Sequence, residues 1–270
     1  MMLSYFSILR LSVCLLAFFA VFVGAFISGF TNPFQIILAS SAAFLIAGAG
    51  NVLNDYFDYE SDKINKPHRF IPSGKISRKN ALYYSIVLLA ISFSFFVYLN
   101  FKMFLLAGLN LLLILLYNWR LKRFPLIGNF VPSWLAASSF IFGGLLSNGL
   151  NVVVIIISMM AFTSNVGREI AKSIEDMMGD AKVKARTLPI VFGRHISNLL
   201  AIFFVLLAII VSPLPYVFGL LNINYLYVVL VSDILFTISL FILFVSSKKS
   251  QQYMKIAMIV GIISFIVGKF

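Results

Sequence analysis

Eight of the nine acidic residues of this 270-residue chain fall in two short segments, each directly after a long apolar run. On a helix, Asp55, Asp58 and Asp62 lie at i, i+3 and i+7, which is one face. Carboxylates beside a bilayer are costly and usually mark a functional site. Because carboxylates on one face repel each other, the spacing predicts a polyvalent cation among them. The eight residues are Asp55, Asp58, Glu60, Asp62, Glu169, Glu175, Asp176 and Asp180.

The donor types in these segments favour Mg²⁺. They supply hard oxygen ligands and no thiolate, a set that suits Mg²⁺ better than zinc. Mg²⁺ takes only one or two protein carboxylates and completes its shell with water and substrate phosphates. Two such segments therefore predict Mg²⁺ sites around a diphosphate. Solvated loop charges and the cation pathway of a transporter are the alternatives.

Basic residues accompany both acidic segments. Metal ions together with Arg and Lys form the usual clamp for a phosphate or diphosphate, and Arg can bind it through two nitrogens. This pattern supports a polyanionic substrate. The basic residues are Lys63, Lys66, Arg69 and Lys75 after the first segment, Lys172, Lys182, Lys184 and Arg186 around the second, and Lys122 and Arg123 between them.

The elements that position these residues are long apolar helices. Hydrophobic residues make up 61% of the chain and charged residues 11%, whereas soluble domains carry about 25% charged residues. Because backbone groups in lipid must be paired internally, such runs predict an all-α polytopic membrane protein with one domain over 1–270. Nine spans are predicted, at 11–30, 34–54, 81–99, 103–118, 129–147, 152–167, 196–211, 225–245 and 254–270.

The basic residues also predict an orientation. Nineteen of the 21 Lys and Arg residues lie in the segments 55–80, 119–128, 168–195 and 246–253 or at Arg10 and Lys255; only Lys102 and Lys269 lie elsewhere. The positive-inside rule then places the N-terminus and these loops in the cytoplasm of an integral membrane protein. The net charge of +12 describes one membrane face near anionic lipid, so no nucleic-acid partner is expected, nor an obligate protein partner.

The two acidic segments also repeat. Asp58 and Asp62, moved by 118 positions, coincide with Asp176 and Asp180, and each pair follows the second span of a four-span set. This pattern predicts an internal duplication of four-helix units, with the site at the interface of the two halves.

The motifs resemble the signatures of the UbiA-type intramembrane prenyltransferases, and the likeness covers nearly the whole chain. Asn54-Asp55-x-x-Asp58-x-x-x-Asp62, followed by Asn65-Lys66-Pro67-His68-Arg69-Phe70-Ile71-Pro72-Ser73-Gly74, is similar to the first signature. Asp176-x-x-x-Asp180, followed by Thr187-Leu188-Pro189-Ile190-x-Phe192-Gly193, is similar to the second. Tyr117, Lys122-Arg123 and Gly128-Asn129 resemble the middle loop of the family. Ser173, where the family often has Asp, and Phe70, where it commonly has Pro, depart from the pattern.

The resemblance implies nine helices around a central cavity and Mg²⁺-dependent transfer of a prenyl group from a polyprenyl diphosphate to a lipophilic acceptor. By matching positions, Asp55, Asp58 and Asp62 would bind one Mg²⁺, and Asp176 and Asp180 the other, as the catalytic and metal-binding residues. The candidate substrate-binding residues are Asn51, Asn54, Arg69, Tyr117, Lys122, Arg123, Glu169 and Lys172.

The string from Gly167 to Asp176 resembles the archaeal digeranylgeranylglyceryl phosphate synthase branch of that family. This implies that geranylgeranyl diphosphate is the donor and geranylgeranylglyceryl phosphate the phosphate-bearing acceptor. The products would be an ether-linked precursor of archaeal membrane lipids and diphosphate. An aromatic acceptor of quinone synthesis, such as 4-hydroxybenzoate, and a cation-coupled transporter stay open as alternatives.

Overall fold

The computed structural model describes residues 2–147, 150–182 and 184–270, and within these ranges the regular elements are all helical. Short 3-10 helices cover Phe95–Tyr98 and Leu121–Arg123. In chain order the α-helices are α1 (Met2–Ile8), α2 (Leu11–Ile27), α3 (Pro33–Phe57), α4 (Tyr59–Asn65), α5 (Arg78–Ser94), α6 (Phe101–Trp119), α7 (Ile127–Gly144), α8 (Val152–Lys182), α9 (Leu188–Val211), α10 (Leu214–Val217), α11 (Ile223–Val245) and α12 (Ser247–Val267).

Seven helical segments of the described residues are long and apolar enough to cross a membrane, which identifies an integral membrane protein. Each contains most of one predicted span. The predicted spans 11–30 and 129–147 correspond to α2, which is apolar but shorter, and to α7, which is not among the seven. The seven segments are Pro33–Phe57, Arg78–Tyr98, Phe101–Trp119, Val152–Lys182, Leu188–Val217, Ile223–Val245 and Ser247–Val267.

Helices α2 and α7 pack against each other in the interior of the bundle, through glycine. A Cβ on Gly143 would overlap the carbonyl oxygen of Val21, and one on Gly24 would overlap that of Phe140. Helix α2 also contacts α3, and α7 also contacts α8. Small residues let backbones approach closely in membranes, where helix association depends on van der Waals packing. This contact therefore sets the distance between α2 and α7.

Both acidic segments extend the helices that precede them. Helix α8 runs for 31 residues, so most of the predicted connection 168–195 is helical: helix continues to Lys182 and resumes at Leu188. The residues from Glu169 to Lys182 are mostly good helix formers, which explains the continuation. Asp58 joins α3 to α4, and its N–H still bonds the carbonyl of Asn54. The carboxylates are therefore held on helical backbone.

Gly143→Ala should destabilise the bundle, because its methyl group must displace backbone of α2. Overpacking of this kind costs about 1–3 kcal/mol. Gly108→Ala is the matched control, since apart from its chain neighbours and the adjacent backbone of its own helix no atom lies within 4 Å of the position that its Cβ would take. We expect thermal unfolding in detergent to show a lower midpoint for Gly143→Ala alone. Equal midpoints for both variants would contradict the close α2–α7 contact.

Candidate active site

Arg69 gathers two aspartates of the first acidic segment. Its Nη1 lies 2.7 Å from Oδ2 of Asp62 and 3.3 Å from Oδ1 of Asp55. Both aspartates are buried, with 5% and 3% of their surface exposed. Burial raises the pKa of the Asp62 carboxyl, and the Arg69 guanidinium opposes that rise. The structure therefore brings together three residues that the sequence assigned to the site.

Asp58 has a different cationic partner from Asp55 and Asp62. Its carboxylate pairs with Lys122, which lies on the 3-10 helix between α6 and α7. This contact joins the first acidic segment to the loop between α6 and α7. The side chain of the adjacent Arg123 is exposed. Its backbone carbonyl accepts a 3.1 Å hydrogen bond from the N–H of Arg186. The structure does not bring the Arg123 side chain to the site.

The two acidic segments face each other at one end of the bundle. Lys66 Nζ lies 3.3 Å from Oδ1 of Asp176, which links the turn after α4 to α8. Asp180 lies within electrostatic range of Asp176, Lys66 and Asp58. Carboxylates from distant parts of the chain thus share one region. Ser173, which replaces the Asp often found in the family, links α8 to α7. Its hydroxyl accepts a 2.9 Å hydrogen bond from Nδ2 of Asn129.

These donors fit Mg²⁺ shared with a phosphate substrate better than a cage made by protein alone. Among the described residues, no three His, Cys, Asp or Glu side chains converge closely enough to hold a metal ion by themselves. Five aspartates nevertheless supply hard oxygens from two sides of one region. Mg²⁺ requires one or two protein carboxylates and takes its other ligands from water and phosphate. The arrangement therefore suits a metal ion bridged to a polyanion.

A cavity of about 380 Å³ opens beside the acidic segments and runs into the bundle. Five of the predicted substrate-binding residues line it, namely Asn51, Asn54, Tyr117, Glu169 and Lys172. Arg69, Lys122 and Arg123 do not line it, and neither do the five aspartates, which lie beyond its polar end. The inner lining is mainly apolar and includes Ala20, Ile157, Phe140, Phe142, Phe236 and Phe265. The cavity therefore combines a charged mouth with an apolar interior.

Glu169 is the buried acid at this mouth. Its carboxylate lies 2.9 Å from Nη1 of Arg168 and 3.4 Å from Nζ of Lys172. Both cations contact this carboxylate, and only 8% of the surface of Glu169 is exposed. Arg168 Nη1 also donates to Oδ1 of Asn165 at 3.2 Å, which fixes its side chain along α8. The mouth therefore carries more positive than negative charge.

Arg10 and Asn118 belong to the site, although the sequence motifs did not single them out. Arg10 Nη2 pairs with Asp55 and lies 3.4 Å from Oδ1 of Asn54, while Asn54 Nδ2 donates to Oδ1 of Asn118 at 2.9 Å. Both residues line the cavity, so this chain of contacts connects the cavity to the aspartates. One signal was available: Arg10 is the single charge before the first apolar run.

Comparisons with known proteins agree with the motifs. The family model described as "UbiA prenyltransferase family" matches residues 16–262. The digeranylgeranylglyceryl phosphate synthase of Methanosphaera stadtmanae is 38% identical over 269 residues, covering 98% of both chains. That of Methanothermobacter thermautotrophicus is 37% identical and covers 98% of this chain and 95% of the relative.

Solved structures extend the comparison to the fold. A structure concerned with digeranylgeranylglyceryl phosphate synthase in membranes has 35% identity and a TM-score of 0.79, covering 99% of this chain and 98% of that one. A UbiA homologue from Archaeoglobus fulgidus bound to GPP and Mg²⁺ has 19% identity and a TM-score of 0.70, covering 96% and 99%. At that identity the second likeness concerns the fold alone.

Arg10→Gln should destabilise the protein, because buried Asp55 then keeps only Arg69, at 3.3 Å, as its cationic partner. Leaving a buried charge with one partner fewer costs about 1–3 kcal/mol. Arg194→Gln is the matched control, since Arg194 is exposed and forms no ion pair in the described residues. Thermal unfolding in detergent should show a lower midpoint for Arg10→Gln than for Arg194→Gln. An unchanged midpoint would argue against a structural role for the Arg10–Asp55 pair.

Proposed function

The chain belongs to the UbiA prenyltransferase family, and we propose that it transfers a geranylgeranyl group from geranylgeranyl diphosphate to geranylgeranylglyceryl phosphate. The products are an ether-linked lipid precursor and diphosphate. The observation that carries this proposal is a cavity with a cationic mouth and an apolar interior, which opens beside two facing aspartate segments. The full-length similarity to digeranylgeranylglyceryl phosphate synthases supports the choice of acceptor.

Asp55, Asp58, Asp62, Asp176 and Asp180 would hold Mg²⁺ at the end of the bundle. When bound, Mg²⁺ stabilises the negative charge that develops on the departing diphosphate. Arg69 and Lys122 contact the carboxylate oxygens of these aspartates and so keep positive charge next to them. The apolar lining excludes water, and this protects an allylic cation from hydrolysis. Each element of the site thus has a role in prenyl transfer.

The polar residues that line the cavity supply the substrate contacts. Asn51 and Asn54 present amide groups, and Tyr117 presents a phenol, at the mouth. Glu169 and Lys172 line the same cavity from α8. Arg123 would act at longer range through its charge, since its side chain is exposed outside the cavity.

A nine-span arrangement would follow if α2 and α7 cross the membrane with the seven longer segments. Their glycine contact in the interior and their packing against α3 and α8 support this count. The distribution of Lys and Arg then puts the N-terminus and the aspartate segments on the cytoplasmic side. The internal duplication is part of the same proposal, because both repeated aspartate pairs lie on helices that extend beyond the apolar region at one end.

The activity is tested with the full chain in detergent, radiolabelled geranylgeranyl diphosphate, and either Mg²⁺ or EDTA. Geranylgeranylglyceryl phosphate and 4-hydroxybenzoate are offered in separate reactions. We expect label in the glycerol lipid with Mg²⁺ and none with EDTA. Label in the aromatic alone would keep the family and overturn the acceptor. Transfer to neither acceptor, without binding of the diphosphate, would favour the transporter alternative.

Asp58→Asn should lower prenyl transfer by about 100-fold or more while the protein stays folded, because one charged donor to the metal and diphosphate region is lost. Glu60→Gln provides the matched control: Glu60 is exposed and pairs only with Lys63, one turn away, among the described residues. Turnover is measured at saturating Mg²⁺ for both variants. Retained turnover in Asp58→Asn would remove Asp58 from the proposed metal ligands.

A further inference from the structure

Lys255 is a cation inside the cavity that belongs to neither acidic segment. It lies on α12, it is half-buried, and its side chain lines the cavity. Its Nζ donates a 2.8 Å hydrogen bond to Oγ of Ser12 on α2. All nine acidic residues lie in the described part of the chain, and none of them comes within 4 Å of this ammonium. Lys255 is therefore a cation without a carboxylate partner at the cavity wall, where it bonds an exposed serine.

The second cation at this place is Arg168 on α8. Lys255 and Arg168 lie close enough to repel each other. Arg168 already shares the carboxylate of Glu169 with Lys172. The lining carries four cations and two carboxylates, but Arg10 is paired with Asp55 outside the lining, and Oδ2 of Asp233 accepts a 2.6 Å hydrogen bond from Oγ of Ser212. Unbalanced positive charge in an apolar cavity is costly, and an anionic ligand would offset that cost.

The position along α8 separates this pair from the diphosphate region. Arg168 precedes Asp176 by eight residues, which on a helix with a rise of 1.5 Å per residue is about 12 Å. The five aspartates lie beyond the cavity's polar end, whereas Arg168 and Lys255 line the cavity itself. Along α8, a diphosphate held at Asp176 is therefore separated from an anion held at Arg168, whereas on α12 Lys255 lies one turn beyond Gln251, whose side chain bonds Glu175. The geometry calls for a second anion, deeper in the bundle.

We propose that Lys255 and Arg168 bind the phosphate of the lipid acceptor and thereby make the enzyme select a phosphorylated glycerol lipid over its phosphate-free form. This assignment rests on the proposed function and adds residues outside the aspartate motifs to it. The acceptor phosphate bonds Lys255 Nζ and the free guanidinium nitrogens of Arg168. Its isoprenoid chain occupies the apolar lining, where Ile157, Met258 and Ile262 lie.

The test compares two acceptors, geranylgeranylglyceryl phosphate and phosphate-free geranylgeranylglycerol, in the wild type and in Lys255→Met. Loss of one charge-assisted contact should raise the KM for the phosphorylated acceptor by about 10- to 100-fold. The KM for geranylgeranyl diphosphate should stay unchanged, and the preference for the phosphorylated acceptor should shrink. Lys255→Arg should keep the preference. Lys249→Met, which removes an exposed lysine from the same helix, should behave as wild type.

Three results would overturn the assignment. An equal rise in the KM for the diphosphate and for the acceptor would show that Lys255 serves the donor. An unchanged acceptor KM in Lys255→Met would remove Lys255 from the site. A wild type that uses both acceptors equally well would overturn the assignment without any variant, so the test does not depend on the folding of Lys255→Met. Failure of the proposed function is distinct, because wild-type protein would then transfer nothing to the phosphorylated acceptor.

Discussion

The pairing of aspartates with cations from neighbouring elements determines how one end of this helical bundle is assembled. Asp55 and Asp62 are almost fully buried, and unpaired charges there would cost several kcal/mol each. Their partner Arg69 comes from the turn after α4, and Lys122 reaches Asp58 from the connection between α6 and α7. Because each pair joins separate elements, the same contacts that neutralise the carboxylates also fix the positions of the helices around the cavity mouth.

The sequence predicted the helices and the acidic segments because both follow from local patterns. Seven predicted spans lie wholly or mostly within apolar helices of the described residues, and the family resemblance is confirmed by the comparisons. The sequence could not predict Arg10, because its contact with Asp55 joins residues 45 positions apart and depends on how α2 packs against α3. Arg123 is a residue that the sequence assigned to the site too readily. It adjoins Lys122, yet the short 3-10 helix directs the two side chains to different surroundings.

The extension of α8 is a case in which local propensity and membrane boundaries disagree. Hydropathy ends the predicted span at residue 167, but helix formation needs only suitable residues and continues to Lys182. This continuation has a functional consequence. It carries Glu169 and Lys172 along the cavity mouth and Asp176 and Asp180 to the end of the bundle on one rigid element. A flexible loop would have to lose conformational entropy to hold the same four side chains in place.

The change in lining along the cavity favours an amphiphilic substrate over a transported ion. A cation moving through the protein would need oxygen ligands along its whole path, whereas the inner lining is dominated by side chains such as Phe140, Phe142 and Phe236. Asp233 lies in that region, and its Oδ2 accepts a 2.6 Å hydrogen bond from Oγ of Ser212. A molecule with an anionic head and an isoprenoid tail matches both regions at once. In the proposed arrangement the head group meets Arg168 and Lys255, and burial of the tail removes apolar surface from water.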